Sequence, residues 1–418
     1  MDHLQLTHRL DELMTRYQAH RLSRRTTFSL LAGLGLTALP TASALAAPRS
    51  RLTGRLAQGD ATPEAPLQEV EAPPATPELG EQADGTVTWR VQVGSMSHEE
   101  MIEAMAFLPG EITINAGDRI FFEFLGFHTI TFPGDQEAPP LLVPEGEALG
   151  TPAAATGEDT RYVVNPAAGF PSGPPVHDGA SYVNSGIPDP TAPPFVVEFT
   201  APGTFEYLCL VHPVMMKATV VVQEQGAERP HDQAYYDQQA AEQLEAILEQ
   251  GRALIEQYSQ ASQATPAAAG GTTWEVAAGV GEEQAQVLRF LPDRLEIKAG
   301  DTVRWTNHGG TEPHTVTFPG DSPPPELILV EPQPAGPPLI VLNPELMQPA
   351  GGDSYDGMGF ANSGWLQEEA VEFPEGVEFP HTWELTFDAP GEFPYYCALH
   401  GGAEGEDLMG MVGTIVVS

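Results

Sequence analysis

The chain of 418 residues carries 58 acidic against 18 basic side chains, a formal net charge of −40 at pH 7. That balance excludes a nucleic-acid partner, because phosphate recognition needs a basic face. The length exceeds one compact core and implies two domains with connectors, while 42 Gly and 41 Pro without a three-residue period favour turn-rich β structure over helical bundles.

Residues 1–47 read as an export signal. Arg24 and Arg25 in "LSRRTTFSLL" resemble a twin-arginine pair, although Phe28 sits one place later than that pattern prefers. An uncharged apolar run follows, and the small residues from Ala42 to Ala46 suit a signal peptidase. The mature protein is therefore expected outside the cytoplasm: periplasmic, at the cell surface or extracellular. An uncleaved segment would instead anchor it, the one membrane association the sequence suggests. Residues 48–86, rich in Pro, Glu and Ala and without periodicity, are expected to be disordered.

From 87 to 224 the pattern is that of short strands. In "FLPGEITINAGD" (107–118) Ile112 and Ile114 alternate before an Ala-Gly-Asp turn. Then come "FHTITFPGD" (127–135), an Asn-Pro step at Asn165, "HDGASYVNSG" (177–186) and "PGTFEYLC", in which Phe205, Tyr207 and Cys209 share one face. A tyrosine two residues before a cysteine has the placement of the tyrosine corner of Greek-key sandwiches. "YLCLVHPVMM" (207–216) closes this part.

Over 225–271 the period changes. Tyr236, Ala240, Leu244, Ile247, Leu248, Leu254, Ile255 and Tyr258 recur at three- and four-residue steps, predicting an amphipathic helix of about 28 residues that packs on one or both domains.

Residues 272–418 repeat the first part. "FLPDRLEIKAGD" (290–301), "PHTVTFPGD" (313–321), Asn343-Pro, "YDGMGFANSG" (355–364), "PGEFPYYC" and "YYCALHGGAEGEDLMGM" (395–411) follow in the same order. Because the Pro/Gly-rich insert is itself repeated, it is expected to be an ordered excursion. The chain's two cysteines, Cys209 and Cys397, each lie inside their own copy of a Cys-x-x-His motif, which argues against a disulfide between them.

A cysteine, two histidines and a methionine gathered by a β-sandwich make a set for a soft transition metal. Trigonal His₂Cys with a weak axial thioether is an arrangement for copper electron transfer, whereas zinc would ask for a fourth strong ligand. On these motifs both halves resemble cupredoxins of the plastocyanin and halocyanin type. The resemblance implies a mostly β fold of two Greek-key sandwiches joined by the helical linker. It also implies two type 1 copper sites, one of His128, Cys209, His212 and a methionine, the other of His314, Cys397, His400 and a methionine. Overlaying "MKATVVV" on "MVGTIVV" favours Met216 over Met215 and Met411 over Met409.

The expected activity is one-electron transfer to redox partner proteins, cationic ones suiting the charge, with no small-molecule substrate. Copper delivery or storage is the alternative. An oxidase or nitrite reductase of this fold would need further copper ligands, but no His-x-His occurs and Leu208 and Tyr396 precede the cysteines. His177 is read as a surface residue, because Tyr355 takes its place in the second copy. His98 with Met96, Met101 and Met105 is read as packing or an irregular loop, His308 as structural, and the acidic run Glu368 to Glu378 as a solvated loop. Glu404, Glu406 and Asp407 in the second ligand loop predict a lower potential for the second site.

Overall fold

The computed structural model describes residues 76–149, 161–188, 192–259, 264–266, 271–320, 324–334, 336–367, 379–404 and 407–418. The signal-like segment 1–47 and the acidic run 368–378 lie outside them. The stretch expected to be disordered falls partly inside: Gly80–Glu81 is a short strand pairing with Val87–Ser97, because the turn between them is closed by the Asp84 side chain accepting from Thr86.

Period-two burial builds the sheets. In Lys217–Gln223 the residues Ala218, Val220 and Val222 are buried and their neighbours are not. This strand runs parallel to Glu111–Asn115 and antiparallel to Gly203–Leu208, which continues to Thr131–Phe132 and Val183–Asn184. Facing this sheet is a second, in which Val87–Ser97 pairs with Ile102–Leu108 and Arg119–Phe124, and the latter with Val196–Phe199. Val91, Phe122 and Val197 from one sheet and Ile112, Tyr207 and Val220 from the other form one core. The second half repeats the plan with Trp305 in the place of Phe122.

The halves are not separate beads. Ile102–Leu108 pairs antiparallel with Ala285–Leu291, joining one sheet of each half into a twelve-stranded sheet. Glu103 pairs with Gln286, its own equivalent in the repeat, so a pseudo-twofold axis passes through the seam. The inserts repeat this: Tyr162–Val164 and Leu339–Leu342 join in a four-stranded sheet in which Val163 faces Val341.

Ile102–Leu108 is buried at all seven positions because both its faces are covered. Phe107 enters the first core, while Ala104, Ala106 and Leu108 meet the helix Gln233–Ser259 at Ala240, Leu244 and Ile247. That helix lies across the seam. Its Tyr236 packs edge-on against Trp89 and donates to the Thr113 carbonyl of the first half, and its Leu254 packs with Ala277, Val280 and Leu291 of the second. Gly251 permits the approach, since a Cβ there would stand 2.5 Å from Ile102 Cγ2.

Two expectations are corrected. His177 is 2% exposed, its ring set among Phe132, Phe199 and Phe205, and Tyr355 fills the matching slot beside Phe318, Phe387 and Phe393. Both are aromatic core residues, which is why His and Tyr interchange. Tyr207 stacks on Phe132 with no hydrogen-bond partner for its hydroxyl among the described residues, so it packs but does not tie a corner.

Candidate metal centres

His128 lies four residues beyond the strand Arg119–Phe124 and His314 five beyond Thr302–Gly309, while each cysteine ends or interrupts the strand carrying the aromatic pair. Their side chains meet between the two sheets at one end of the sandwich. In the first half His128 Nδ1 and His212 Nδ1 are 3.1 Å apart, and Cys209 Sγ is 3.9 Å from each. In the second half His314 Nδ1 and His400 Nδ1 are 3.1 Å apart, with Cys397 Sγ at 3.8 and 3.5 Å. All six residues are buried, and among the described residues no fourth His, Cys, Asp or Glu joins either cluster.

The surroundings hold these triangles in place. The Thr129 backbone N–H donates to Cys209 Sγ at 3.3 Å, and its hydroxyl accepts from the N–H of Leu210; Thr315 does the same for Cys397 and Ala398. The repeated Asn-Ser-Gly acquires its reason here. Asn184 accepts from Thr131 and donates to the carbonyls of Ala167, Ala168 and Phe170, while Ser185 accepts from the Ile130 N–H. Asn362 and Ser363 do likewise for Thr317 and Val316, so the insert is bolted to the strand that follows the ligand histidine. Gly94 and Gly279, at φ +71° and +80°, let the rings of His128 and His314 lie against bare backbone, where any Cβ would collide with Nε2.

Met216 and Met411 are both buried in the cores that contain Cys209 and Cys397. Leu208, just before Cys209, pairs with Lys217, just after Met216; Tyr396, just before Cys397, pairs with Val412, just after Met411. The two methionines thus occupy one register. The longer second spacing is not a wider loop: Gly401 to Glu404 pair back on Asp407 to Gly410 as a hairpin running beyond the site. Met215 turns elsewhere, its sulfur accepting from Thr311 Oγ1 at 3.5 Å and Gln286 Nε2 at 3.7 Å.

The outer ring nitrogens meet carboxylates that the sequence reading missed. Glu103 Oε1 stands 3.4 Å from His128 Nε2. Glu312, 4% exposed, places Oε1 at 2.6 Å from His400 Nε2 and Oε2 at 3.0 Å from His212 Nε2. The first is an aligned hydrogen bond, and the second is a close charge contact off the hydrogen-bond direction. One carboxylate of the second half therefore serves a ligand histidine in each half. The sequence signal for it was its lack of a counterpart: Gly126 stands at that position in the first copy.

These contacts set the charge states. Burial alone would keep the thiols protonated, but the histidines beside them more than offset it and hold Cys209 and Cys397 well below the usual thiol range. Burial likewise opposes charge on His400, yet Cys397 and Glu312 lift it to about 10, and His212 is raised well above its ordinary value by Glu312 and Cys209. The early histidines diverge. Burial pushes His314 down, while His128 is raised against burial by Cys209 and Glu103; the residue matching Glu103 in the second half is the uncharged Gln286.

The residues fit a copper ion. Thiolate and imidazole are donors for soft and borderline metals, the thiols are poised to bind deprotonated, and the outer nitrogens of three of the four rings face carboxylates, as ligand histidines require. In comparisons with known proteins, no protein-family model matches the chain. The chloroplastic plastocyanin of Tetradesmus obliquus is 30% identical over 130 residues, covering 31% of this chain and 59% of that protein. The plastocyanin of Vicia faba is 26% identical over 131 residues, 31% of this chain and 89% of that protein. Among solved structures, the oxidised plastocyanin of Dryopteris crassirhizoma is 23% identical, covers 32% of this chain and 99% of its own, and gives a TM-score of 0.18. The pseudoazurin of Methylobacterium extorquens AM1 is 19% identical over 37% of this chain and 98% of its own, with a TM-score of 0.19. With plastocyanin-like sequence over about a third of the chain and a buried His–Cys–His set in each half, the protein is similar to cupredoxins of the blue copper type.

Proposed function

We propose that the chain is a one-electron carrier holding one mononuclear copper in each half. The ligands are His128, Cys209, His212 and Met216 in a first Greek-key domain, 87–224, and His314, Cys397, His400 and Met411 in a second, 272–418, with 225–271 as the helical connector. The observation that carries this reading is the pair of buried Nδ1–Nδ1–Sγ triangles. A bound copper supplies the one-electron couple; the chain supplies the rest. Burial excludes water and exchangeable ligands, the Thr129 and Thr315 N–H groups hold the thiolates, and the sheets keep the donors in one geometry in either oxidation state.

The same burial disfavours copper delivery or storage, in which metal must leave readily, and no substrate is assigned. The charge of −40 supports docking to cationic redox partners, and the signal-like residues 1–47 support export. Among the described residues no helix is long and apolar enough to cross a membrane. The test is copper loading of the purified protein. About two coppers per chain and an intense visible thiolate band that vanishes on reduction are expected; full zinc occupancy with no band after copper loading would end the reading.

A further inference from the structure

Glu312 has a placement that positioning a single ligand does not explain. Its backbone is fixed by a turn, its N–H donating to the Gly309 carbonyl and its own carbonyl accepting from Asn307 Nδ2. Its two oxygens then reach two histidines that are equivalents in the repeat, His212 and His400, each the Cys-x-x-His member of its site. A residue touching equivalent atoms of both halves lies at the pseudo-twofold axis, the same axis on which Glu103 faces Gln286 and Val163 faces Val341. In both histidines Nδ1 faces the donor triangle and Nε2 faces Glu312. The path from one triangle to the other is therefore ring, contact, three-atom carboxylate, hydrogen bond, ring. All three residues are at most 4% exposed, and Met215 with Thr311 and Gln286 packs beside the junction.

We propose that His212–Glu312–His400 is the route by which an electron crosses between the two metal centres, making the chain one two-centre unit. The inference rests on the copper reading above. Electronic coupling falls more steeply across empty space than along bonds and short polar contacts, and among the described residues no other carboxylate contacts a ligand histidine of both centres. The seam pair Glu103 and Gln286 fails as a bridge, since Glu103 meets His128 but Gln286 turns to Met215. In the transfer one centre is oxidised and the other reduced by one electron. No bond forms or breaks, and Glu312 remains ionised between two N–H groups, so no proton has to move. Exclusion of water keeps solvent reorganisation small.

The test uses the full copper-loaded chain and its Glu312→Leu and Glu312→Gln variants. A sub-stoichiometric reductant is delivered in a pulse, and freeze-quenched EPR with the visible bands follows redistribution of electrons between the centres. Metal count, thiolate bands and circular dichroism report folding and loading. The expected result for the native chain is a first-order redistribution independent of protein concentration, slowed tenfold or more in Glu312→Leu with both bands retained. Should Glu312→Leu lose a centre, Glu312→Gln, which keeps size and one hydrogen bond, is read in its place, with slower redistribution again expected. A native rate in a loaded, folded variant, or a native redistribution that scales with protein concentration, would overturn the route while leaving the copper reading intact. Absence of any thiolate band in the copper-loaded native chain would remove both.

Discussion

Glu103→Gln removes a buried charge that the first centre has and the second lacks. The carboxylate is buried, 3.4 Å from the outer nitrogen of His128, and the equivalent residue in the second half is already glutamine, so the substitution makes the first centre resemble the second. Adding the width of the ring and a metal–nitrogen bond of ~2 Å puts the carboxylate roughly 7 Å from the metal. At an effective dielectric constant of about 20 a unit charge there is worth roughly 2.4 kcal/mol, or about 100 mV for one electron. A negative charge favours the more positive, oxidised centre, so removing it raises the potential of the first site. Glu312 faces a ligand of both centres, so its charge acts on each. The Glu103 contact predicts the opposite order to the one expected from Glu404, Glu406 and Asp407: the lower step of an optical redox titration should belong to the first centre. In Glu103→Gln that step should rise by tens of millivolts up to about 100 mV and approach the other. A lower step that stays in place, or an upper step that moves instead, would refute the assignment.

Cys209→Ser should bleach one thiolate band and leave the other, because each donor triangle comes from its own half; loss of both bands from a folded chain would point to a shared centre. Gly94→Ala forces a Cβ against the His128 ring at a left-handed backbone position, and should cost about 1–3 kcal/mol in thermal or urea unfolding and impair the first centre selectively. Leu254→Ala, beneath the seam, should cost about 2–4 kcal/mol and lower a single unfolding transition, because the sheet and helix span both halves; two transitions of which only one moves would contradict that coupling. Asp118 is opposed by burial but held below its usual range by Arg229 and by the backbone of Asn115 and Val87. Its contribution is complete above the unfolded value near 3.9 and disappears as pH falls through its lowered folded value, so the stability gap between the metal-free native chain and Asp118→Asn should close in acid. A gap that stays constant down to pH 2 would remove that role.

How much of this could be read beforehand depends on what each residue's pattern could encode. The donor histidines and cysteines stood out because their types and spacing recur in register, and the helix because Tyr236, Ala240, Ile247 and Leu254 keep a helical period. The seam left no such trace. Ile102–Leu108 is buried on both faces, one by a core and one by the helix, so period-two alternation is lost there; which strand it joins is decided by the opposite half. Glu312 was one acid among 58, distinguished only by the glycine opposite it in the repeat. His177 was misjudged because its alignment with Tyr355 was taken as loss of a ligand, when it marks a shared aromatic slot. The count of residues between Cys397 and Met411 could not reveal the hairpin, because spacing alone does not distinguish a loop from a hairpin that returns the chain to register.

The two acids that distinguish the halves also explain why the repeat is not symmetric at its axis. A glutamate at position 126 to match Glu312 would need a Cβ 2.8 Å from His128 Nε2 and 3.2 Å from Glu103 Oε1, space the first half gives to the Glu103 carboxylate. It would also bring a second carboxylate to the buried junction between His212 and His400. Like charges so placed cannot both stay ionised, and one would take up a proton and cease to serve its histidine. A single carboxylate with two oxygens satisfies both equivalent rings with one charge. That solution requires the copies to differ, with Gly126 against Glu312 and Glu103 against Gln286. On the proposed two-copper reading, two centres with identical donors would thereby have different surroundings, and an electron entering the pair would meet a gradient set by Glu103.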